Sequence, residues 1–372
     1  MTVDSRALEV AYRFLQRYAK YERFPGKAIK FLSGCVNDAW LEKRGAVGEA
    51  DVRKAFTEQT GLPEVFLRDD LPLDTAALEA FFTKRIIGQE EALEKILRVV
   101  KVFKAGLNDP AKPVATLLLA GPTGVGKTAS ARTLAACCFG AGQALDPLLR
   151  LDMSEFQSES QVERLIGSPG GDPGRLLQHL RERPFSVVLF DEIEKANPVF
   201  FDVLLTVLDE GLLADAYGRA TDFRNSILVM TTNLGSRRGG SLGFGGDPLQ
   251  RYEAAVREHF RPEFCNRLDQ VIEFQPLGPD AILAIARKEL EEVAEREGVR
   301  RRGLRLEFTD VLVRHVAEAG FDPVYGARPL QRLVEQRVVG PLSRFLLAEV
   351  VPVSARIRVD FSGEEVNIDV RP

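Results

Sequence analysis

The feature that most constrains this chain is a continuous apolar run at residues 114–120, which leads directly into the glycine-rich segment GPTGVGKT at residues 121–128. Such a run is typical of a parallel strand buried on both faces, and a helical pattern follows at 128–138. Glycines let the backbone curl so that its N–H groups face phosphate oxygens. Lys127 adds a positive charge for the β- and γ-phosphates, and the Thr128 hydroxyl is a ligand for Mg²⁺. The segment therefore predicts an ATP-binding loop whose nucleotide contacts come from Pro122, Thr123, Gly124, Val125, Gly126, Lys127 and Thr128.

A second apolar run, at residues 186–190, ends in Asp191 and Glu192. At the carboxyl edge of a parallel sheet, both acids would face the same crevice as the phosphate loop. Asp191 is then predicted to hold Mg²⁺ through water, and Glu192 to orient and polarise the attacking water. The alternative is that the two acids only cap the next helix. The presence of the phosphate loop favours catalysis.

Short apolar runs at 148–152, 227–231 and 270–274 alternate with helical patterns, which predicts an α/β fold with a mostly parallel sheet. The chain before residue 83 has helical spacing. After Pro276 the pattern is mainly helical and ends in strand-like runs. We predict a small helical N-terminal domain with linker at 1–82, a P-loop core at 83–276, and a C-terminal α/β lid at 277–372.

Composition excludes several classes of function. The net charge is −4 and the pI about 5.7, so the chain has no general attraction for nucleic acid or anionic membranes. The four cysteines and three histidines have no metal-ligand or redox spacing. The longest apolar runs are too short to span a bilayer. We expect a soluble, cytoplasmic protein with no nucleic-acid or membrane partner.

Six segments together resemble one known family. They are RIIGQ at 85–89, DMSEF at 152–156, DEIEKA at 191–196, DFRN at 222–225 leading to TTN at 231–233, FRPEFCNR at 260–267, and YGARP at 325–329. From about residue 84 to residue 370, the chain resembles the second ATPase module of the Clp AAA+ proteins, the ClpA/ClpB/ClpC group. The resemblance implies an AAA+ core for the P-loop domain.

The resemblance also implies roles for residues that the spacing alone does not assign. Ile86 and Ile87 match the adenine side of the nucleotide site. Asn233 matches sensor 1, which positions the lytic water with Glu192. Arg328 matches sensor 2 on the lid and would contact the γ-phosphate. Arg267 matches the arginine finger, which acts in the neighbouring subunit's site. The alternative for both arginines is an ordinary surface ion pair.

The family implies an ATP-hydrolysing ring oligomer, expected to be a hexamer, that remodels or disassembles proteins. Residues 11–38 are similar to the helical lid of the family's first ATPase module, and residues 60–63 resemble the linker after it. The chain therefore resembles either a Clp protein with one ATPase or a fragment of a longer one.

Two loops affect what the ring would do. The segment at 168–174, where Clp unfoldases carry an aromatic residue that grips substrate, reads SPGGDPG and has none. This absence supports an alternative function, a nucleotide-controlled scaffold or switch that assembles with ATP without threading substrate. A second loop, with Leu242 and Phe244, is similar to the segment by which some Clp ATPases contact a peptidase. The alternative is that these two residues pack against their own domain.

Overall fold

The computed structural model describes the chain except for residues 20–21, 141–145, 169–173, 237–247, 323–324, 350, 363–364 and 372, and except for the side chains of 248–251 and 371. The described residues form two compact units. The first comprises Met1–Arg85, Glu91–Ala120 and Lys127–Glu273, and the second comprises Ile86–Glu90, Gly121–Gly126 and Phe274–Pro372. The three-part division at residues 82 and 276 stays a prediction.

The N-terminal part of the first unit is mainly helical. Its elements are β1 (Thr2–Val3), α1 (Ser5–Tyr18), α2 (Gly26–Leu41), β2 (Ala46–Val47), α3 (Glu49–Thr60), α4 (Glu64–Leu67) and α5 (Thr75–Thr83). Buried Lys27 donates to the carbonyls of Leu15 and Ala19, 3.0 and 2.7 Å away, at the C-terminal end of α1. A cation there complements the helix dipole. The Asn225 amide donates to the Tyr18 carbonyl over 2.6 Å, which attaches these helices to the rest of the unit.

The remainder of the first unit alternates strands and helices. The elements are α6 (Glu90–Ala105), β3 (Ala115–Ala120), α7 (Lys127–Phe139), β4 (Leu148–Asp152), α8 (Glu159–Ile166), α9 (Arg175–Glu182), β5 (Val187–Asp191), α10 (Pro198–Glu210), β6 (Leu212–Ala214), β7 (Ala220–Asp222), β8 (Ile227–Thr232), α11 (Pro248–His259), α12 (Pro262–Cys265) and β9 (Gln270–Glu273). The central sheet has the order β4-β5-β8-β3-β9, and all of its pairings are parallel. Every residue of β3, β5 and β8 is buried. The prediction of an α/β fold with a parallel sheet is confirmed.

A short antiparallel hairpin, β6 with β7, packs against α9 and α10. Asp215 organises its turn, since the carboxylate accepts from the backbone N–H groups of Tyr217 and Arg219, each at 2.9 Å. The Arg181 guanidinium adds a hydrogen bond of 2.9 Å. The sequence analysis did not predict this hairpin because three-residue strands are too short to show a periodic pattern.

The second unit combines helices with a three-stranded sheet. Its main elements are α13 (Pro279–Ala294), α14 (Glu297–Arg301), β10 (Arg305–Phe308), α15 (Asp310–Gly320), α16 (Arg328–Val334), α17 (Gly340–Ala348), β11 (Arg356–Ser362) and β12 (Glu365–Arg371). A π-helical turn at Glu335–Val339 joins α16 to α17. The sequence predicts a kink or break at Pro341, and the π turn just before it is how the helix accommodates the proline.

In the part of the chain that the structure describes, no helix combines the length and the apolar character that crossing a membrane requires.

Candidate functional site

Three neighbouring strands of the central sheet end at one edge. Because β5, β8 and β3 lie side by side and run parallel, their carboxyl ends meet there. Asp191 is the last residue of β5, and Asn233 follows β8 directly. Lys127 begins α7, which packs against β5. The fold therefore brings together Lys127, Asp191 and Asn233, which the sequence analysis selected on three separate motifs.

Lys127 lies at the centre of this edge. It is 8% exposed, and its ammonium group donates a hydrogen bond of 2.9 Å to Asn233 Oδ1. An amide oxygen stabilises the ammonium group without neutralising its charge. Since Lys127 also stands at the N-terminus of α7, the helix dipole adds to the positive potential. The position suits a bound anion.

Asp191 is held from two sides. Its Oδ1 accepts from the Thr231 hydroxyl over 2.5 Å. Its Oδ2 accepts from Arg150 Nε at 3.0 Å and Nη2 at 2.5 Å. Thr231 lies on β8 and Arg150 on β4, so residues of the two strands flanking β5 fix the carboxylate.

Glu192 leaves the strand in a left-handed backbone conformation, with φ 57° and ψ 52°. A residue that is not glycine adopts this conformation at a cost of about 1–3 kcal/mol, and such residues cluster at functional sites. Its N–H donates to the Thr231 hydroxyl oxygen over 3.0 Å. Its carboxylate pairs with Lys195, and this hydrogen bond raises the pKa of the Lys195 ammonium group. The side chain makes no hydrogen bond that caps the following turn, and α10 is capped by Asn197 instead.

Glu194, two residues further on, connects this turn to the end of β8. Its Oε1 accepts the backbone N–H of Asn233 over 3.1 Å. The turn that carries it is a 3₁₀ helix at Ile193–Lys195, and the fully buried side chain of Ile193 fixes its position.

In the second unit, the glycine half of the phosphate loop contacts the chain just before α16. The Ala327 N–H donates to the Gly124 carbonyl over 3.3 Å. A Cβ atom on Gly124 would lie 2.2 Å from the Tyr325 carbonyl oxygen, and one on Gly326 would lie 2.5 Å from the Thr123 carbonyl oxygen. Both glycines have positive φ, 76° and 62°. Only glycine allows the two backbones to approach this closely.

The same unit contains the other residues predicted to contact nucleotide. Buried Ile86 lies beside the loop, since a Cβ atom on Gly126 would be 3.9 Å from its Cγ2. Ile87 follows it. The Gln89 side chain fixes this segment through two hydrogen bonds of 2.9 Å with the Gln275 backbone. Arg328 starts α16 and is exposed, and it forms no ion pair with any residue that the structure describes.

Comparison with known proteins decides the family. Residues 112–271 match the model of the AAA domain (Cdc48 subfamily), and residues 277–359 match the model of the C-terminal, D2-small domain of ClpB protein. The chain belongs to the Clp family of AAA+ ATPases. The resemblance on which the sequence analysis relied is confirmed, and the family is one of ATPases, the class that the resemblance implied.

The Clp relatives match along most of the chain. The chaperone protein ClpB of Vibrio vulnificus (strain CMCP6) is 40% identical over 332 residues, which cover 87% of this chain and 38% of the relative. The chloroplastic chaperone protein ClpC3 of Oryza sativa subsp. japonica is 40% identical over 353 residues, covering 90% and 37%. A closed-state cryo-EM reconstruction of Hsp104 with ATPγS and FITC casein is similar in fold, with a TM-score of 0.77 and 28% identity over 99% of this chain and 64% of that one. The chain thus spans about two-fifths of the length of the curated Clp relatives.

The residues of this Clp chain fit nucleotide and magnesium by their chemistry. The loop glycines are positions where a Cβ atom would meet neighbouring backbone, and buried Lys127 supplies a cation. The Thr128 hydroxyl and the Asp191 carboxylate are oxygen donors of the kind that Mg²⁺ prefers. Both Asp191 oxygens also accept hydrogen bonds from protein groups, and a contact with the metal through water stays a prediction.

Arg267 contacts α10 and its own helical turn in the described structure. Its Nε donates to Asp209 Oδ1 over 2.6 Å, and its Nη1 to the Glu263 carbonyl over 2.9 Å. The hydrogen bond between the two side chains raises the pKa of Arg267 and lowers that of Asp209. This is the intramolecular ion pair that the sequence analysis raised as an alternative. The action of Arg267 on a neighbouring subunit stays a prediction.

The sequence analysis missed Arg150, Thr231, Glu194 and Lys195 as parts of the site. Arg150 carries one usable signal, since it stands two residues before the end of β4 and so shares a face with Asp152. The other three lie within motifs of the Clp resemblance, but no role could be read from their spacing.

Two predicted features fall outside the described residues. Most of the segment at 168–174 does so, and so do Leu242 and Phe244. The substrate-gripping loop and the peptidase contact therefore stay hypotheses.

The close approach at Gly326 leads to a first prediction. We expect Gly326→Ala to lower the free energy of unfolding by about 1–3 kcal/mol, because alanine is strained at positive φ, and to weaken nucleotide binding, because the phosphate loop must shift. Urea unfolding and titration with a fluorescent ADP analogue measure the two effects. Gly298→Ala is the matched control in the same unit, since a Cβ atom there meets nothing within 4 Å. Equal stability and affinity in the two variants would contradict the prediction.

Proposed function

We propose that this chain binds ATP with Mg²⁺, hydrolyses it, and couples hydrolysis to the remodelling of a protein or protein complex within a ring oligomer, expected to be a hexamer. The observation that carries the proposal is the meeting of Lys127, Asp191, Glu192 and Asn233 at one edge of a parallel sheet. Family membership supports the nucleotide and its turnover.

In the proposed reaction, Lys127 and the loop N–H groups hold the β- and γ-phosphates. Glu192 orients and polarises the attacking water, and Asn233 fixes the position of that water from the next strand. The left-handed backbone at Glu192 turns its carboxylate away from the line of β5, so that two consecutive acids serve different tasks. Thr128 and Asp191 would hold a magnesium ion, which would supply charge neutralisation at the phosphates.

Two arginines complete the proposal. Arg328 follows the Gly326 contact by two residues, which supports a role next to the phosphate loop. The Arg267 side chain is one-third exposed and pairs with the exposed Asp209, so it is accessible to a neighbouring subunit's nucleotide. A cation at the transferring phosphate stabilises charge that develops in the transition state.

The names of the relatives favour remodelling over the scaffold alternative. They are chaperone proteins, and the similar Hsp104 reconstruction contains FITC casein. The scaffold alternative rests on the absence of an aromatic residue at 168–174, where only glycine, proline, serine and aspartate occur. Bulky aromatic contacts at low entropic cost are what gripping an extended chain requires.

A single assay separates the two functions. A fluorescently labelled unstructured protein, fused to a stable folded domain, is incubated with the assembled chain and ATP, and unfolding of the domain is followed. We expect ATP-dependent loss of the folded domain, and none with Glu192→Gln as the control. ATP-dependent assembly without any change in the substrate would overturn the remodelling function and favour the scaffold.

A further inference from the structure

Asn233 is held at its side chain, its carbonyl and its backbone N–H, and the contact at the N–H has no assigned role. Its side chain accepts from Lys127, and its carbonyl accepts the Ser236 N–H over 3.2 Å. The third point is its own N–H, which donates to Glu194 Oε1 over 3.1 Å. The residue expected to position the lytic water thus depends on a carboxylate from the adjacent strand end.

Glu194 links the end of β5 to the end of β8 through its hydrogen bond with the Asn233 N–H. It follows Asp191 by three residues, on a turn closed by the Lys195 N–H to the Glu192 carbonyl at 3.0 Å. The buried Ile193 side chain anchors that turn in the hydrophobic core. Glu192 and Glu194 therefore lie on one hydrogen-bonded turn, which also carries the oxygen that accepts the Asn233 N–H.

The environment of Glu194 argues against a purely structural role. Its second oxygen, Oε2, is buried and accepts no hydrogen bond from any residue that the structure describes. Buried polar atoms are nearly always paired, since an unpaired one destabilises the folded state. An unpaired buried oxygen of this kind calls for an explanation other than the stability of the fold.

We propose that Glu194 is a positioning residue, which sets Asn233 at a fixed distance from Glu192 through the Asn233 N–H. The proposal rests on the proposed function for its effect on turnover, but not for its effect on the Asn233 backbone. The Asn233 N–H requires an acceptor oxygen at the end of a side chain as long as that of glutamate. Charge is not required.

Three substitutions separate reach from charge. Glu194→Gln keeps the acceptor oxygen and the reach but loses the charge. Glu194→Asp keeps the charge and shortens the side chain by one methylene. Glu194→Ala removes both. Glu155→Ala is the control, because Glu155 is an exposed glutamate on the 3₁₀ turn after the neighbouring strand β4.

Two measurements are made on each variant, namely kcat and KM for ATP hydrolysis, and hydrogen–deuterium exchange of the Asn233 amide in nucleotide-free protein. We expect Glu194→Ala and Glu194→Asp to lower kcat at least tenfold with KM changed less than threefold, and to speed exchange at least tenfold. Glu194→Gln and Glu155→Ala should stay within threefold of the unmodified chain in both measurements.

Contrary results are equally clear. An unchanged kcat in Glu194→Ala overturns the positioning role, and so does a Glu194→Gln variant as impaired as Glu194→Ala. If the unmodified chain shows no hydrolysis, the proposed function fails. The exchange rates then still decide whether Glu194 anchors Asn233, with unchanged exchange in Glu194→Ala overturning the inference.

Discussion

Replacing Glu192 with glutamine should stop ATP turnover and leave ATP binding intact. The substitution preserves shape and the acceptor that Lys195 contacts, but a neutral amide does not polarise water or take up its proton. Loss of a positioned general base lowers rates by about 10²- to 10⁴-fold, so we expect kcat to fall at least 100-fold. Steady-state phosphate release measures turnover, and titration with a fluorescent ATP analogue measures affinity.

The control for this prediction is Glu155→Gln, the same chemical change at an exposed glutamate that follows β4 instead of β5. Its kcat and affinity should match those of the unmodified chain. A Glu192→Gln variant with a rate within twofold of the unmodified chain would remove Glu192 from the reaction.

The Arg267→Ala substitution should abolish hydrolysis while the affinity for ATP changes little. An arginine supplied at the transferring phosphate accelerates the reaction by about 10³- to 10⁵-fold in related P-loop enzymes. Within one protomer, Arg267 pairs with Asp209 and does not touch Lys127, Asp191 or Glu192 in the described structure. A loss of turnover would therefore point to a site on another subunit.

Mixed assemblies test that point directly. An Arg267→Ala subunit keeps Glu192, and a Glu192→Gln subunit keeps Arg267, so their shared interface should regain activity when the two inactive variants are combined. Arg261→Ala is the matched control. Arg261 pairs with Asp202, which lies on α10 as Asp209 does. No recovery on mixing would rule out action between subunits, and a normal rate in Arg267→Ala alone would leave it as a surface ion pair.

Much of the sheet could be predicted because parallel strands buried on both faces appear as uninterrupted apolar runs. This holds for β3, β5 and β8, which are buried along their whole length. The bounds of β4 were predicted as observed, and those of the other four strands within about one residue. The predicted nucleotide-contacting residues lie on continuous motifs, and the parallel topology explains why separate motifs meet at one edge.

The supporting side chains could not be predicted in the same way. Arg150 reaches Asp191 only because β4 pairs beside β5 in one particular register, with Asp152 opposite Asp191. Thr231 bonds to Asp191 for a similar reason, since β8 lies on the other side of β5. These contacts depend on strand order, which one sequence does not specify.

The contact between Gly124 and Gly326 has a mechanical consequence. With no side chain on either glycine, the peptide groups of the two segments touch directly, and nothing compressible separates them. A displacement of the phosphate loop toward that segment would therefore displace the start of α16. Binding or release of nucleotide at the loop would then change the position of that helix.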